Sequence, residues 1–325
     1  MSHAPTTPDT PGGEHHGTPA TKATAMGSDV TERKTPRKLT RKEQRAVDAK
    51  TRLTSKWASG FALVMAILWS VPTFGLFVSS FRPESAIKTE GWWKFFTNPE
   101  VSLENYDAVL FGENDFAGAF LNTVVITLPA VFIPISLALL AAYAFAWIEF
   151  KGRSILFVAV FALQVVPIQI ALIPLLTQYV NFGLAGSLWV LWLSHSIFAL
   201  PLAIFLLHNF MMDIPRSLIE AARVDGAGHV KIFFQVLLPL LVPAIASFSI
   251  FQFLWVWNDL LVALVFAAPD LQPLTLVIQN LAGSRGAEWQ LLSAGAFVAM
   301  AVPLIVFLSL QRFFVRGLLA GGVKG

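Results

Sequence analysis

Asp259, in the stretch WVWNDLL, is the clearest carboxylate inside an apolar run of this chain, and its neighbours have the chemistry to handle a polyhydroxylated solute. Trp255 and Trp257 offer flat faces on which a pyranose ring can stack, while the amides of Asn258 and Gln252 can bond hydroxyls. Each has an equally ordinary alternative, because tryptophan anchors helices at a membrane interface and an aspartate can lock two helices through a hydrogen bond. A carboxylate turned toward lipid would cost about 2.5–3.5 kcal/mol, so Asp259 is expected to face the bundle interior or a water-filled cavity. His195 stands between Ser194 and Ser196 with no carboxylate in its own apolar run. It reads better as a histidine hydrogen-bonded between helices than as a proton carrier.

Recognised catalytic patterns are missing. There is no GxxxxGK[ST] phosphate loop, no HExxH zinc helix and no GxSxG elbow, the nearest look-alike being AGSRG at 282–286. Cysteine is absent, which removes disulfides, thiolate zinc sites and a cysteine nucleophile together. The adjacent His15 and His16 have no further partners with which to hold a metal. The expectation is a non-catalytic chain with no metal and no cofactor of its own.

The elements that position these side chains must be membrane helices. At 55% hydrophobic and 13% charged residues, with a mean hydropathy of +0.65, the 325-residue chain is too apolar for one water-soluble core. Six apolar segments approach the roughly 20 residues a bilayer core requires, at about 57–79, 118–147, 155–177, 187–209, 236–266 and 291–313. The second and fifth exceed the bilayer thickness and must tilt or extend beyond it. Prolines recur inside the spans, at Pro72, Pro129, Pro134, Pro167, Pro174, Pro201, Pro243 and Pro303, so kinked helices are expected.

Charge sets the orientation. With the N-terminus inside, 19 of the 23 Lys/Arg fall on the cytoplasmic side, leaving Arg82, Lys88, Lys94 and Arg285 outside. The sequence therefore predicts a multi-pass protein of the cytoplasmic membrane with both termini in the cytoplasm and its first span retained as a signal anchor. Residues 1–56 carry 11 Lys/Arg against 6 Asp/Glu and read as a disordered basic tail. Its stretch RKTPRKLTRKEQR holds the N-terminus inside and can be drawn to anionic membrane lipid. The remainder is slightly acidic, 12 against 14, which argues against a nucleic-acid partner.

One charged segment lies between the fourth and fifth spans, at about 213–239. Pro215 suits a first helical turn, SLIEAARV is helix-permissive, and Gly226 can take the left-handed conformation that ends a helix. A second short helix, GHVKIFFQVLL, then leads toward Pro239 and the membrane. The result is a helix-turn-helix knob on the cytoplasmic side. The small pair Ala221 and Ala222 lets another protein approach closely, while Glu220, Arg223 and Asp225 supply charge for register.

The order Glu220, Ala221, Ala222, three residues, Gly226, nine residues, Val236, one residue, Leu238, Pro239 resembles the EAA loop of binding-protein-dependent ABC importer permeases, with Val236 where the family usually has Ile. The stretches DIPRSLI, NTVVITLPA, WVWNDLL and RFFVRGLLAGGVKG are similar to the maltose-type, MalG-like carbohydrate permeases, and GLFVSSFRP, GWWKFFTNP and SRGAEWQLLSAGAF to their alpha-glucoside branch. The likeness covers residues 57–325, taken as a permease domain, and leaves out 1–56. It implies an all-α fold of six transmembrane helices, of the type I ABC importer kind. It also implies a second homologous permease subunit, two ATP-binding subunits that carry ATP and Mg, and an extracytoplasmic sugar-binding protein. Glu220, Ala221, Ala222, Asp225, Gly226, Leu238 and Pro239 would then form the ATPase-coupling loop, Arg316 and Gly317 a C-terminal contact with the ATPase pair, and Asp259, Asn258, Gln252 and Trp255 candidates for the translocation pathway. The reading from another class is a self-sufficient secondary transporter or channel. That reading needs coupling-ion carboxylates within the spans, for which Asp259 is the main candidate and Glu149 lies near a cytoplasmic edge.

Overall fold

The structure, a computed structural model, describes residues 41, 56–112, 115–283 and 288–322, with side chains described at 41, 57–112, 115–282 and 288–311. It divides into two compact units, Met1–Val64 and Met65–Gly325. Within the first, the chain is helical over 56–64; the expected tail, including His15 and His16, lies outside the described residues apart from Arg41 and Lys56.

Among the described residues every regular element is helical. α1 (Lys56–Ser80) is followed by α2 (Glu84–Thr89), a 3₁₀ segment (Trp92–Phe96) and α3 (Glu104–Phe111). The bundle continues through α4 (Phe116–Trp147), α5 (Arg153–Ala162), α6 (Ile168–Asn181), α7 (Leu188–Met212), α8 (Arg216–Val224) and α9 (His229–Trp257). It closes with α10 (Leu261–Phe266), α11 (Leu274–Gly283) and α12 (Trp289–Gly322). Five of these helices are long and apolar enough to cross a membrane, and a sixth crossing exists if the bent pair α5–α6 counts as one span.

That pair corrects the expected continuous span at 155–177. The axis turns by 102° between Arg153–Val165 and Ile168–Asn181. Val166 (φ −70°, ψ 120°) and Pro167 (φ −60°, ψ 128°) are both extended, because the proline ring excludes the α conformation from the residue before it and supplies no N–H to the ladder. Pro72, Pro129, Pro134, Pro174, Pro201, Pro243 and Pro303 all lie inside unbroken helices. The fifth span is corrected as well. Instead of a short helix followed by one span at 236–266, the chain forms a single helix from His229 to Trp257, breaks at 258–260, and restarts as α10. A π-helical segment, Ile232–Leu237, precedes Pro239. Pro239 cannot donate to the carbonyl one turn earlier, and the wider turn accommodates that loss without ending the helix.

The most extensive helix pairing is α4 with α7, and α9 packs on both. Ala138 and Ala142 of α4 and Ala203 of α7 are fully buried, small enough to let backbones approach closely. They join Tyr143, Leu207, Met211, Leu237 and Leu241 in one core cluster at the α8 end of the bundle, and Ile219 of α8 belongs to that same cluster. The connection after α1 is more structured than a loop. Arg82 is fully buried, its Nη1 donating to the Gly91 carbonyl at 2.9 Å and its Nη2 to Glu90 at 3.1 Å. Asn105 of α3 donates to the carbonyls of Ser80 and Arg82 at 3.0 and 2.7 Å, so α2 and α3 are tied to the end of α1.

Candidate functional site

The loop at 213–239 is built on α8, which begins after Pro215, one residue later than a first-turn proline would place it. Its end is closed by two backbone bonds. The Ala227 N–H donates to the Ala222 carbonyl at 2.9 Å and the Gly226 N–H to the Arg223 carbonyl at 3.0 Å, around Gly226 at φ +78°. This is the Schellman arrangement, which needs a left-handed residue at the position Gly226 occupies. Ile219 is the buried side of α8, seated among Ile232, Phe233 and Leu237, and Ala222 packs against the same cluster. The helix that follows is tied down where it starts, the Tyr143 hydroxyl lying 2.7 Å from His229 Nδ1.

Glu220, Ala221, Arg223, Asp225 and Gly226 of the knob are all exposed; Ala221 stands on the side of α8 opposite Ile219, while Glu220 and Arg223 flank Ile219 along a pocket shared with Trp147 and Met212. Leu238 and Pro239 are not on the knob: Leu238 is half-buried against the core, and both stand on α9 beyond the π-helical segment. Their place is at the base that holds the turn. Sequence reasoning missed Val224, which is 88% exposed at the tip, and Val230, 74% exposed in the first turn of α9. An apolar residue at the last position of the helix, off the face that carries Ile219, was the available signal.

The second candidate region gathers at the break after α9. Asp259 is 9% exposed; its Oδ2 accepts from the Val262 N–H at 3.0 Å and the Ala263 N–H at 3.2 Å, so the carboxylate caps α10. The Thr275 hydroxyl donates to the Asp259 carbonyl at 2.5 Å, and His195 Nε2 lies 3.9 Å from Oδ2. His195 is buried on α7 with Nδ1 unpartnered among the described residues. The hydrogen bond expected for it is thus replaced by a longer contact, with a carboxylate from the break after α9. Asp259 also borders an open cavity of about 620 Å³ that it shares with Phe251, Leu254, Trp255, Asn258, Leu260 and Leu261.

The other pathway candidates separate. Trp255 is half-buried, borders this cavity and sets its ring edge-on to His195, with centroids 6.1 Å apart. Asn258 is exposed, its amide returning to the Leu254 carbonyl at 2.7 Å. Gln252 is fully buried and donates to the Ala130 carbonyl of α4 at 3.2 Å, a tie between helices; its Oε1 is unpartnered among the described residues and it lines a smaller cavity of about 120 Å³ with Gln164 and Trp255. Trp257 is removed from the sugar-stacking candidates. It is buried against Phe253 and donates to the Ala299 carbonyl at 3.1 Å. Of the C-terminal residues, the backbone of α12 is helical through Arg316 and Gly317 as far as Gly322, while their side chains lie outside the described residues.

These contacts make a prediction for Asp259. Asparagine keeps an acceptor for the cap but loses the charge, whereas alanine loses both and is expected to cost about 0.5–2 kcal/mol. Asp259→Ala should lower the thermal stability of the purified protein, and Asp259→Asn should leave it nearly unchanged while lowering uptake. Uptake by Asp259→Asn at the normal rate would leave the carboxylate with the capping role alone.

The family of binding-protein-dependent transport system inner membrane components matches residues 134–319, a stretch that includes both the knob and the α9–α10 break. This chain belongs to that family. It is 52% identical over 268 residues to the osmoprotective compounds uptake permease protein GgtD of Synechocystis sp., covering 81% of this chain and 90% of the relative. It is 49% identical over 255 residues to the alpha-glucoside transport system permease protein AglG of Rhizobium meliloti, covering 76% and 67%. Among solved structures it shares its fold with a chain of a bacterial ABC transporter that imports the acidic polysaccharide alginate, with a TM-score of 0.65 at 20% identity, over 80% of this chain and 98% of that one. The protein is thus a multi-pass permease component of an ABC importer, with the type I permease fold expected from its sequence.

Proposed function

We propose that this chain is one of two membrane subunits of an ATP-driven importer for small carbohydrates, alpha-glucosides being the class best supported. A second homologous permease completes the pore, two ATP-binding subunits carrying ATP and Mg sit on the cytoplasmic side, and an extracytoplasmic binding protein delivers the sugar. The carbohydrate assignment is supported by AglG, named as an alpha-glucoside permease, and by the melibiose/raffinose/stachyose import permease protein MelC of Bacillus subtilis, 30% identical over 266 residues.

The observation that carries the coupling role is the knob's construction. A pore subunit without an ATP site must be moved through a contact, and a contact transmits movement only if it is stiff on its own side. α8 meets that condition, with a closed turn at Gly226, a buried anchor at Ile219 and an outer side left bare at Ala221 and Val224. The proposed orientation puts this end, and both termini, in the cytoplasm, in agreement with the distribution of Lys and Arg. Asp259, Asn258 and Trp255 then edge the solute path, with Gln252 fixing the helix behind them. Purification of the tagged chain from its native membrane tests the proposal. An ATPase and a second permease should accompany it, with ATP-dependent uptake of a labelled alpha-glucoside after reconstitution. ATP-independent transport by the isolated chain in liposomes would favour the secondary-transporter reading.

A further inference from the structure

Two contacts hold the aromatic run Trp92–Phe96 beside α1. Arg82, fully buried just past the end of α1, donates to the Gly91 carbonyl at 2.9 Å and to Glu90 at 3.1 Å, which closes the chain leaving α1 into a tight excursion. Trp92 then lies on Gly75 of α1. A Cβ at that position would meet Trp92 Nε1 at 2.7 Å, so glycine is what seats the indole. Phe74 meets Trp92 edge-on, with centroids 6.1 Å apart, and stacks with Phe96 at 6.4 Å.

The depth of this seat indicates its surroundings. Phe74 precedes the last residue of α1 by six positions, about 9 Å along the helix axis. α1 is one of the five helices long and apolar enough to cross a membrane. The aromatic run therefore returns to a level below the end of a membrane helix, where a water-soluble partner would have to displace lipid to reach it.

The faces of the run are sorted to match. Residues three apart eclipse in a 3₁₀ helix, so Trp92 and Phe95 share one face, Trp93 and Phe96 the next, and Lys94 and Thr97 the third. Trp92 and Phe95 are half-buried, whereas Trp93 and Phe96 are 62% and 68% exposed. Exposed Val71 and Phe74, neighbours on α1, carry apolar surface on along the span from the Phe96 ring. Lys94 and Thr97 are exposed and polar. An apolar aromatic face flanked by an ammonium group is the make-up of an element that lies in a membrane interface, its rings among acyl chains and its cation at the phosphates.

We propose that Trp92–Phe96 is an interfacial anchor whose Trp93 and Phe96 face is covered by lipid at the boundary between acyl chains and headgroups, with Lys94 reaching the phosphates. The anchor fixes the height of α1 in the membrane and, through the Arg82 clamp, holds the segment that follows α1 at the membrane surface. The lipid contact does not depend on which solute is carried; its leaflet, the outer one, rests on the orientation proposed above.

The test places an environment-sensitive fluorophore on a single thiol in the full chain, assembled with cysteine-free partner subunits in nanodiscs. Trp93→Cys and Phe96→Cys report on the proposed lipid face, and Asp107→Cys, an exposed acid on α3, is the reference in water. Lipid spin-labelled near the headgroup end of its acyl chain should quench the probes at 93 and 96 about fivefold more strongly than the probe at 107, with aqueous iodide showing the reverse order. Equal lipid quenching at all three positions would overturn the proposal. Protection of 93 and 96 from both quenchers would show that protein, either the second permease or the binding protein, covers this face, and would overturn it as well. Subunit content equal to that of the wild type checks that each labelled complex is intact.

Discussion

Replacing Gly226 by valine is expected to lower uptake about tenfold while the chain still inserts in the membrane. The backbone at Gly226 sits at φ +78°, and a β-branched residue there is disfavoured by about 1–2 kcal/mol, close to a factor of ten in the population of the closed turn. An added Cβ would meet nothing within 4 Å in this chain, so the penalty comes from the backbone and not from a clash. Opening the turn releases the Ala227 and Gly226 N–H bonds and lets the tip carrying Val224 and Asp225 swing away. Glu220→Ala removes one exposed charge and should lower uptake by less than about fivefold. The check is to measure subunit retention, ATP hydrolysis and uptake separately for both variants. Wild-type uptake by Gly226→Val would remove the need for a closed turn, and loss of insertion would mean that the turn serves folding.

Ile219→Ala should uncouple the importer by loosening the knob from its base. Ile219 is buried between the end of α7 and the start of α9, and truncating it leaves a cavity that costs about 2–4 kcal/mol. The outer residues of α8 are untouched by this change, so partner subunits should still bind. What is lost is the stiffness with which α8 follows them. ATP hydrolysis by the partners should persist while uptake falls severalfold. Ile219→Leu, which conserves volume, should cost less than about 1.5 kcal/mol and retain most uptake. Equal uptake by Ile219→Ala and wild type would show that the anchor transmits nothing.

The knob was legible in the sequence because its determinants are local. A run of helix formers, a glycine able to take positive φ and a proline upstream all act within a dozen residues, and the structure closes the turn at the expected glycine. The break at Pro167 was not legible, since seven other prolines sit inside helices that continue through them. Neighbouring helices decide which proline interrupts a span, and those neighbours are distant in sequence. The break after Trp257 did have a local signal: an aspartate two residues ahead of Leu261 is a helix-start residue. It was read for its charge and not for its capping capacity. The approach of His195 to Asp259 joins α7 to the break after α9, two stretches far apart in sequence, and no pattern within either one announces it. Trp257 illustrates the same limit in reverse, because its sequence neighbours resemble a sugar site while its actual neighbours are Phe253 and Ala299.

If the knob is the coupling element proposed above, the outer side of α8 is covered by an ATPase subunit in the working complex. The chain contains no cysteine, so Val224→Cys introduces a single thiol at the exposed tip of the knob. The decisive measurement is its rate of labelling by a water-soluble maleimide in the assembled complex, compared with the chain stripped of its ATPase subunits. Labelling should be rapid in the stripped chain, strongly suppressed in the complex, and partly restored as the subunits move on binding ATP. Equal labelling rates in the complex and the stripped chain would contradict the coupling role.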